Sequence, residues 1–115
     1  MPRKDPLSDQ IRLQHMYDAI CEAQTFVQKK NQRDIEQDRQ LALSLTKEIE
    51  IAGEAASKVS AQFKKAHPEI PWKTITDTRN RLIHVYFDID YDKAWEVIAQ
   101  DFPKLKGQLK PLLKK

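Results

Sequence analysis

Leu45-Thr46-Lys47-Glu48-Ile49-Glu50-Ile51-Ala52-Gly53-Glu54-Ala55-Ala56-Ser57-Lys58-Val59 places apolar side chains at Leu45, Ile49, Ala52, Ala56 and Val59, in steps of four, three, four and three. That rhythm keeps one face of a helix apolar and does not match the period of two of a half-buried strand. It continues to Phe63, so a long helix is expected from about Asp34 to Ala66. Gly53 costs such a helix about 1 kcal/mol relative to alanine. With Ala52, Ala55 and Ala56 it forms a flat patch that another helix can approach closely, a packing role rather than a phosphate loop.

Working outward, Leu13, Met16, Ile20, Ala23 and Val27 form a similar stripe. They predict a first helix with Ser8 as N-cap, Pro6 just outside it, and an end near Lys30. Lys29-Lys30-Asn31-Gln32 reads as the turn. Downstream, His67-Pro68-Glu69-Ile70-Pro71 breaks the pattern, because each proline restricts the residue before it. Pro71 then suits the first turn of a third helix carrying Trp72, Ile75, Arg79, Leu82 and Tyr86. After Asp88-Ile89-Asp90, a fourth helix over Tyr91 to Gln100 carries Ala94, Trp95 and Ile98, with Asp90 as its N-cap. Pro103 opens a last helix with Leu105, Leu109, Leu112 and Leu113 on its apolar side, frayed by Pro111. The expectation is an all-α, up-and-down bundle of four to five helices, one domain over residues 1–115.

Composition agrees. The chain has 115 residues, two glycines and 32% charged residues, which favours helices over a sandwich or barrel. A net charge of +3 and an isoelectric point near 9.0 are compatible with a polyanionic partner without demanding one. Much of the excess sits at Lys104, Lys106, Lys110, Lys114 and Lys115, which also reads as a solvated helix end. Cys21 is the single cysteine, so no internal disulfide or cysteine-rich metal site is expected. With no apolar leader and no membrane-length apolar run, the expectation is a soluble, cytoplasmic protein.

The third helix carries the chemistry-bearing residues. With Arg79 at zero on a wheel of about 100° per residue, Asn80 falls at about 100° and His84 at about 140°. Asp77, Asp88 and Arg81 complete this polar face. Leu82, Val85, Tyr86, Ile75 and Trp72 make the apolar one. Asn80 and His84, four apart, are neighbours that can share a ligand. Arg79 lies within the apolar arc and needs an anion there, because burying an unpaired guanidinium is costly; Glu50 and Glu54 are the candidates. Taken singly, His84 is equally a surface residue, Arg79 a structural ion-pair partner and Tyr86 a core aromatic. His15 and His67 have no acidic or histidine partner at ligand spacing, so neither receives a role and no metal site is expected. Asp88-Ile89-Asp90-Tyr91-Asp92 lacks the glycine and closing glutamate of a calcium loop. No P-loop, dinucleotide fingerprint or G-x-S-x-G is present. The residues alone lead to a helical bundle with one suggestive polar face.

Three blocks in order, Ile49-Glu50-Ile51-Ala52-Gly53-Glu54-Ala55-Ala56, Pro68-Glu69-Ile70-Pro71-Trp72 and Arg79-Asn80 through His84-Val85-Tyr86-Phe87, resemble the HepT-like family of the HEPN superfamily. The similarity runs over about residues 35–110. It implies a metal-independent endoribonuclease, without cofactor, acting as the toxin of a toxin–antitoxin pair. In such enzymes the RNA 2′-hydroxyl attacks the adjacent phosphate and leaves a 2′,3′-cyclic end. By this resemblance His84 is the general base or acid, Arg79 holds the scissile phosphate, and Asn80 orients His84 or donates to phosphate. The resemblance also implies a homodimer with its cleft between two motif helices. It implies a partner as well, an MntA-like nucleotidyltransferase antitoxin that blocks the site by AMPylation of Tyr86. The alternative is a non-catalytic substrate-binding or partner subunit of a two-component nucleotidyltransferase.

Overall fold

The computed structural model describes residues 6–78 and 89–114, with side chains described from residue 9 onward. Every element among them is helical: α1 (Pro6–Phe26), α2 (Gln32–Gln37), α3 (Arg39–Lys58), α4 (Ala61–Ala66), α5 (Trp72–Thr78), α6 (Tyr91–Glu96) and α7 (Phe102–Leu109). A π turn (Val97–Asp101) joins α6 to α7, and a 3-10 turn (Lys110–Leu112) follows. None of the described helices is long and apolar enough to cross a membrane.

The expected stripes face the core. Leu13, Met16, Ile20 and Ala23 of α1 are buried, as are Leu45, Ile49, Ala52 and Ala56 of α3 with Val59 beyond it. Val27 and Phe63 pack at the edge. α3 lies between α1 and α5, so Ala52, Gly53, Ala55 and Ala56 are all buried, as a close helix approach requires. The Asp9 carboxylate near the start of α1 accepts from Ser60 N at 2.9 Å and Ser60 Oγ at 2.8 Å, just past the end of α3. The two helices are therefore antiparallel. Gln10 holds the other end of the chain in the same way, donating to Leu112 O at 3.1 Å and accepting from Lys114 N at 2.9 Å.

Three boundaries differ from the sequence reading. The long second helix is three helices. Asp38, in an extended conformation, ends α2 and caps α3 by accepting from Leu41 N. Ser60 caps α4 by accepting from Phe63 N. Short oxygen-bearing side chains satisfy helix-end N–H groups and so favour a break. At the other end, Pro103 does not open a separate helix. The backbone stays helical from α6 through the π turn into α7. Pro103 has no N–H and its ring crowds the carbonyl four residues back. The turn widens instead, and Phe102 N–H reaches Val97 O, five residues back. Finally, Ser8 lies inside α1, which begins at Pro6.

One carboxyl interrupts the seam between α1 and α3. Glu48 is 5% exposed. Burial, then a hydrogen bond to Glu22 and that residue's like charge, push its carboxyl up to about 7 from an ordinary 4.5. The folded state thus holds this proton more tightly than the unfolded chain. Its stabilisation is complete below the unfolded value and is lost as pH rises through the folded one. Melting temperature is expected to fall between about pH 5 and pH 8 in the parent, with a much flatter profile for Glu48→Gln. Identical profiles for the two proteins, measured by circular dichroism, would remove this account.

Candidate active site

Arg79, Asn80, His84 and Tyr86, with Leu82 and Val85 between them, lie outside the described residues. The structure does define how the chain leads into that segment and out of it. On the incoming side, Trp72 anchors α5. Its indole Nε1 donates to His67 O at 3.0 Å, and its ring meets Phe63 edge-on at 6.2 Å. Ile75 N bonds Pro71 O at 3.0 Å, so Pro71 stands at the first turn as its missing N–H allows. Thr78 closes the described part of α5. It is 6% exposed, and its hydroxyl donates to Thr74 O at 2.7 Å. On the outgoing side Ile89 is buried. Asp90 caps α6 as expected, accepting from Lys93 N at 3.0 Å. Thr78 and Ile89, the described residues on either side of positions 79–88, are both buried.

Glu50 and Glu54, the expected anionic partners of Arg79, stand on α3 and are not buried. Glu50 lies 4.0 Å from Lys47 and Glu54 lies 3.3 Å from Lys58. Ion pairs this exposed contribute little to stability. Both carboxylates line a 520 Å³ cleft between α1 and α3, together with Arg12, His15, Lys47 and Lys58. Arg12 Nε is buried there without a hydrogen-bond partner among the described residues. Sequence reasoning gave His15 no role and passed over Arg12. Their spacing of three on α1, at the edge of its apolar stripe, is the signal that places both on one face. His67, also read as lacking an acidic partner, has one: its Nδ1 lies 3.4 Å from Glu69, and its ring packs 4.4 Å from Phe63. Among the described residues no three His, Cys, Asp or Glu side chains gather as a metal ion would require.

The family model described as "Ribonuclease HepT-like" matches residues 16–112, which include the whole 79–86 segment and both of its anchors. A protein of Thermococcus cleftensis named "Probable ribonuclease HepT" is 33% identical over 102 residues, covering 89% of this chain and 93% of its own length. A Caldanaerobacter subterraneus protein, named provisionally as an RNase, is 37% identical over 82 residues, covering 71% of this chain and 73% of its own. A Methanocaldococcus jannaschii protein of similar name is 30% identical, covering 82% and 89%. No solved structure matches the chain. The described elements are all helical, and the chain belongs to the ribonuclease HepT-like family.

The outgoing anchor can be tested alone. Asp90→Ala removes the α6 cap and is expected to cost about 1 kcal/mol in chemical denaturation, whereas Asp90→Asn keeps most of it. Equal losses from both substitutions would show that the side chain works through its charge instead.

Proposed function

We propose that this protein is a metal-independent endoribonuclease and the toxin of a toxin–antitoxin pair, with its site in the segment Arg79 to Tyr86. The observation that carries the reading is the family match over residues 16–112, with R-N-x3-H-x-Y intact inside it. In this reading the RNA 2′-oxygen forms a bond to phosphorus while the bond from phosphorus to the 5′-oxygen breaks. The proton of the 2′-hydroxyl goes to a base, and another reaches the departing 5′-oxygen. His84 serves as base or acid, because an imidazole titrates near neutral pH. Arg79 binds the phosphate and offsets the charge that builds on its oxygens. Asn80 orients His84 or donates to phosphate. The chain acts as a cytoplasmic homodimer, so that arginine and histidine from two copies converge on one cleft. A nucleotidyltransferase antitoxin silences it by AMPylation of Tyr86, which adds bulk and negative charge where RNA phosphate must sit.

Incubation with total RNA in excess EDTA tests the chemistry. The parent is expected to leave 2′,3′-cyclic ends, and folded His84→Ala is expected to leave RNA intact. Intact RNA in both, from folded and unmodified protein, would favour the non-catalytic partner subunit of a nucleotidyltransferase. Tyr86→Phe is expected to stay toxic on expression and to escape the antitoxin; continued neutralisation would argue against Tyr86 as the modified residue.

A further inference from the structure

A second cavity lies on the opposite side of α3 from the Arg12 cleft. It is a slot of about 220 Å³ between α5 and the rod formed by the π turn and α7. Ile49 and Ala52 of α3 line it, with Ile75 and Thr78 from α5 and Val97, Phe102 and Leu105 from the rod. Glu69, Asp101, Lys104 and Gln108 supply its polar groups. A water molecule takes about 30 Å³ in the liquid, so the slot has room for a flat heterocycle. Thr78, which lines it, is the residue before Arg79.

We propose that this slot is a nucleobase subsite, taking the base of a nucleotide next to the scissile phosphate. The proposal rests on the ribonuclease reading above and adds a base preference to it. A base has two apolar faces and an edge of donors and acceptors, and the slot offers the complement. Pro71 and Ile75 provide accessible apolar surface, and the polar groups can meet the edge. Gln108 Nε2 already donates to Glu69 O at 2.9 Å. That fixes the amide and leaves its oxygen as an acceptor. The carboxylate of Asp101 is a second acceptor. Partial desolvation and then the charge of Glu96 raise this carboxyl, with Lys93 and Lys104 opposing them. The acceptors suit a base that carries an exocyclic amino group, adenine, cytosine or guanine, better than uracil, which carries none. Lys104 also lines the slot and supplies a positive charge of the kind a phosphate attracts. The phosphate and sugar alone would gain nothing from the apolar lining, so the chemistry selects a base. Ala52 is one of the residues that line the slot, and a longer side chain there is expected to reduce its volume.

Amide-resolved NMR titrations of the parent with 5′-AMP, 5′-CMP, 5′-UMP and ribose 5-phosphate test this, with an RNA cleavage assay beside them. AMP or CMP is expected to bind about tenfold more tightly than UMP or ribose 5-phosphate. The shifts should centre on Ile75, Thr78 and Leu105. Asp101→Asn alters an exposed carboxylate and is expected to remove the preference, and Ala52→Leu to remove binding. If Ala52→Leu does not fold, Asp101→Asn still decides. Equal affinity for ribose 5-phosphate, shifts centred elsewhere, or an unchanged preference in Asp101→Asn would overturn the subsite. RNA cleavage without slot binding overturns the subsite alone. Slot binding with RNA left intact overturns the ribonuclease reading, and with it the slot's place beside a scissile phosphate.

Discussion

The burial of α3 on two opposite sides is the constraint on which the rest of the molecule depends. A helix packed against α1 on one flank and α5 on the other needs small residues wherever backbones approach closely. Ala52, Gly53, Ala55 and Ala56 meet that need. Helix propensity alone would penalise Gly53, so packing outweighs it here. Because α5 is pressed onto this surface, Thr78 at its end is buried. Ala52 also helps line the slot between α5 and the rod. One run of small side chains therefore serves the core packing and, through Ala52, the lining of the neighbouring cavity.

The apolar stripes were legible because burial follows helical period directly. Leu13, Met16, Ile20, Leu45, Ile49 and Ala56 are all at most 2% exposed. The breaks within the long second pattern were not read from it. The stripe keeps its phase across Ser60, so Val59 and Phe63 both still meet the core. Periodicity cannot register an interruption that preserves the face. The information was present in different residues, Asp38 and Ser60, whose side chains cap the helices that follow. Asp90, read as a cap from its place before Tyr91, performs as one. Pro103 was read as a helix start, and the structure spends it within a continuous rod.

The site was legible to a different degree. Wheel geometry alone reached a polar face bearing Asn80 and His84. The roles given to Arg79, His84 and Tyr86 came from the resemblance to a family, and the family match over residues 16–112 shows the membership alone. What no local pattern could supply is the company kept across helices. Arg12 and His15 share a cleft with Glu50 and Glu54 although about forty residues separate them in the chain. Glu48 and Glu22 similarly meet only because α1 and α3 are antiparallel neighbours. Such pairings depend on tertiary register, which a single helix face does not encode.

The π turn at Val97–Asp101 also settles a question of phase. Ala94, Ile98, Phe102, Leu105 and Leu109 are buried, in steps of four, four, three and four. On a wheel of about 100° per residue each step of four drifts by about 40°, so these side chains stay within one apolar stripe. The wider turn lets Pro103, which has no N–H to give, stand inside the rod while Phe102, Leu105 and Leu109 keep to the core. A residue that would ordinarily end a helix is thus absorbed by one loosened turn, and a single continuous strut closes this side of the bundle.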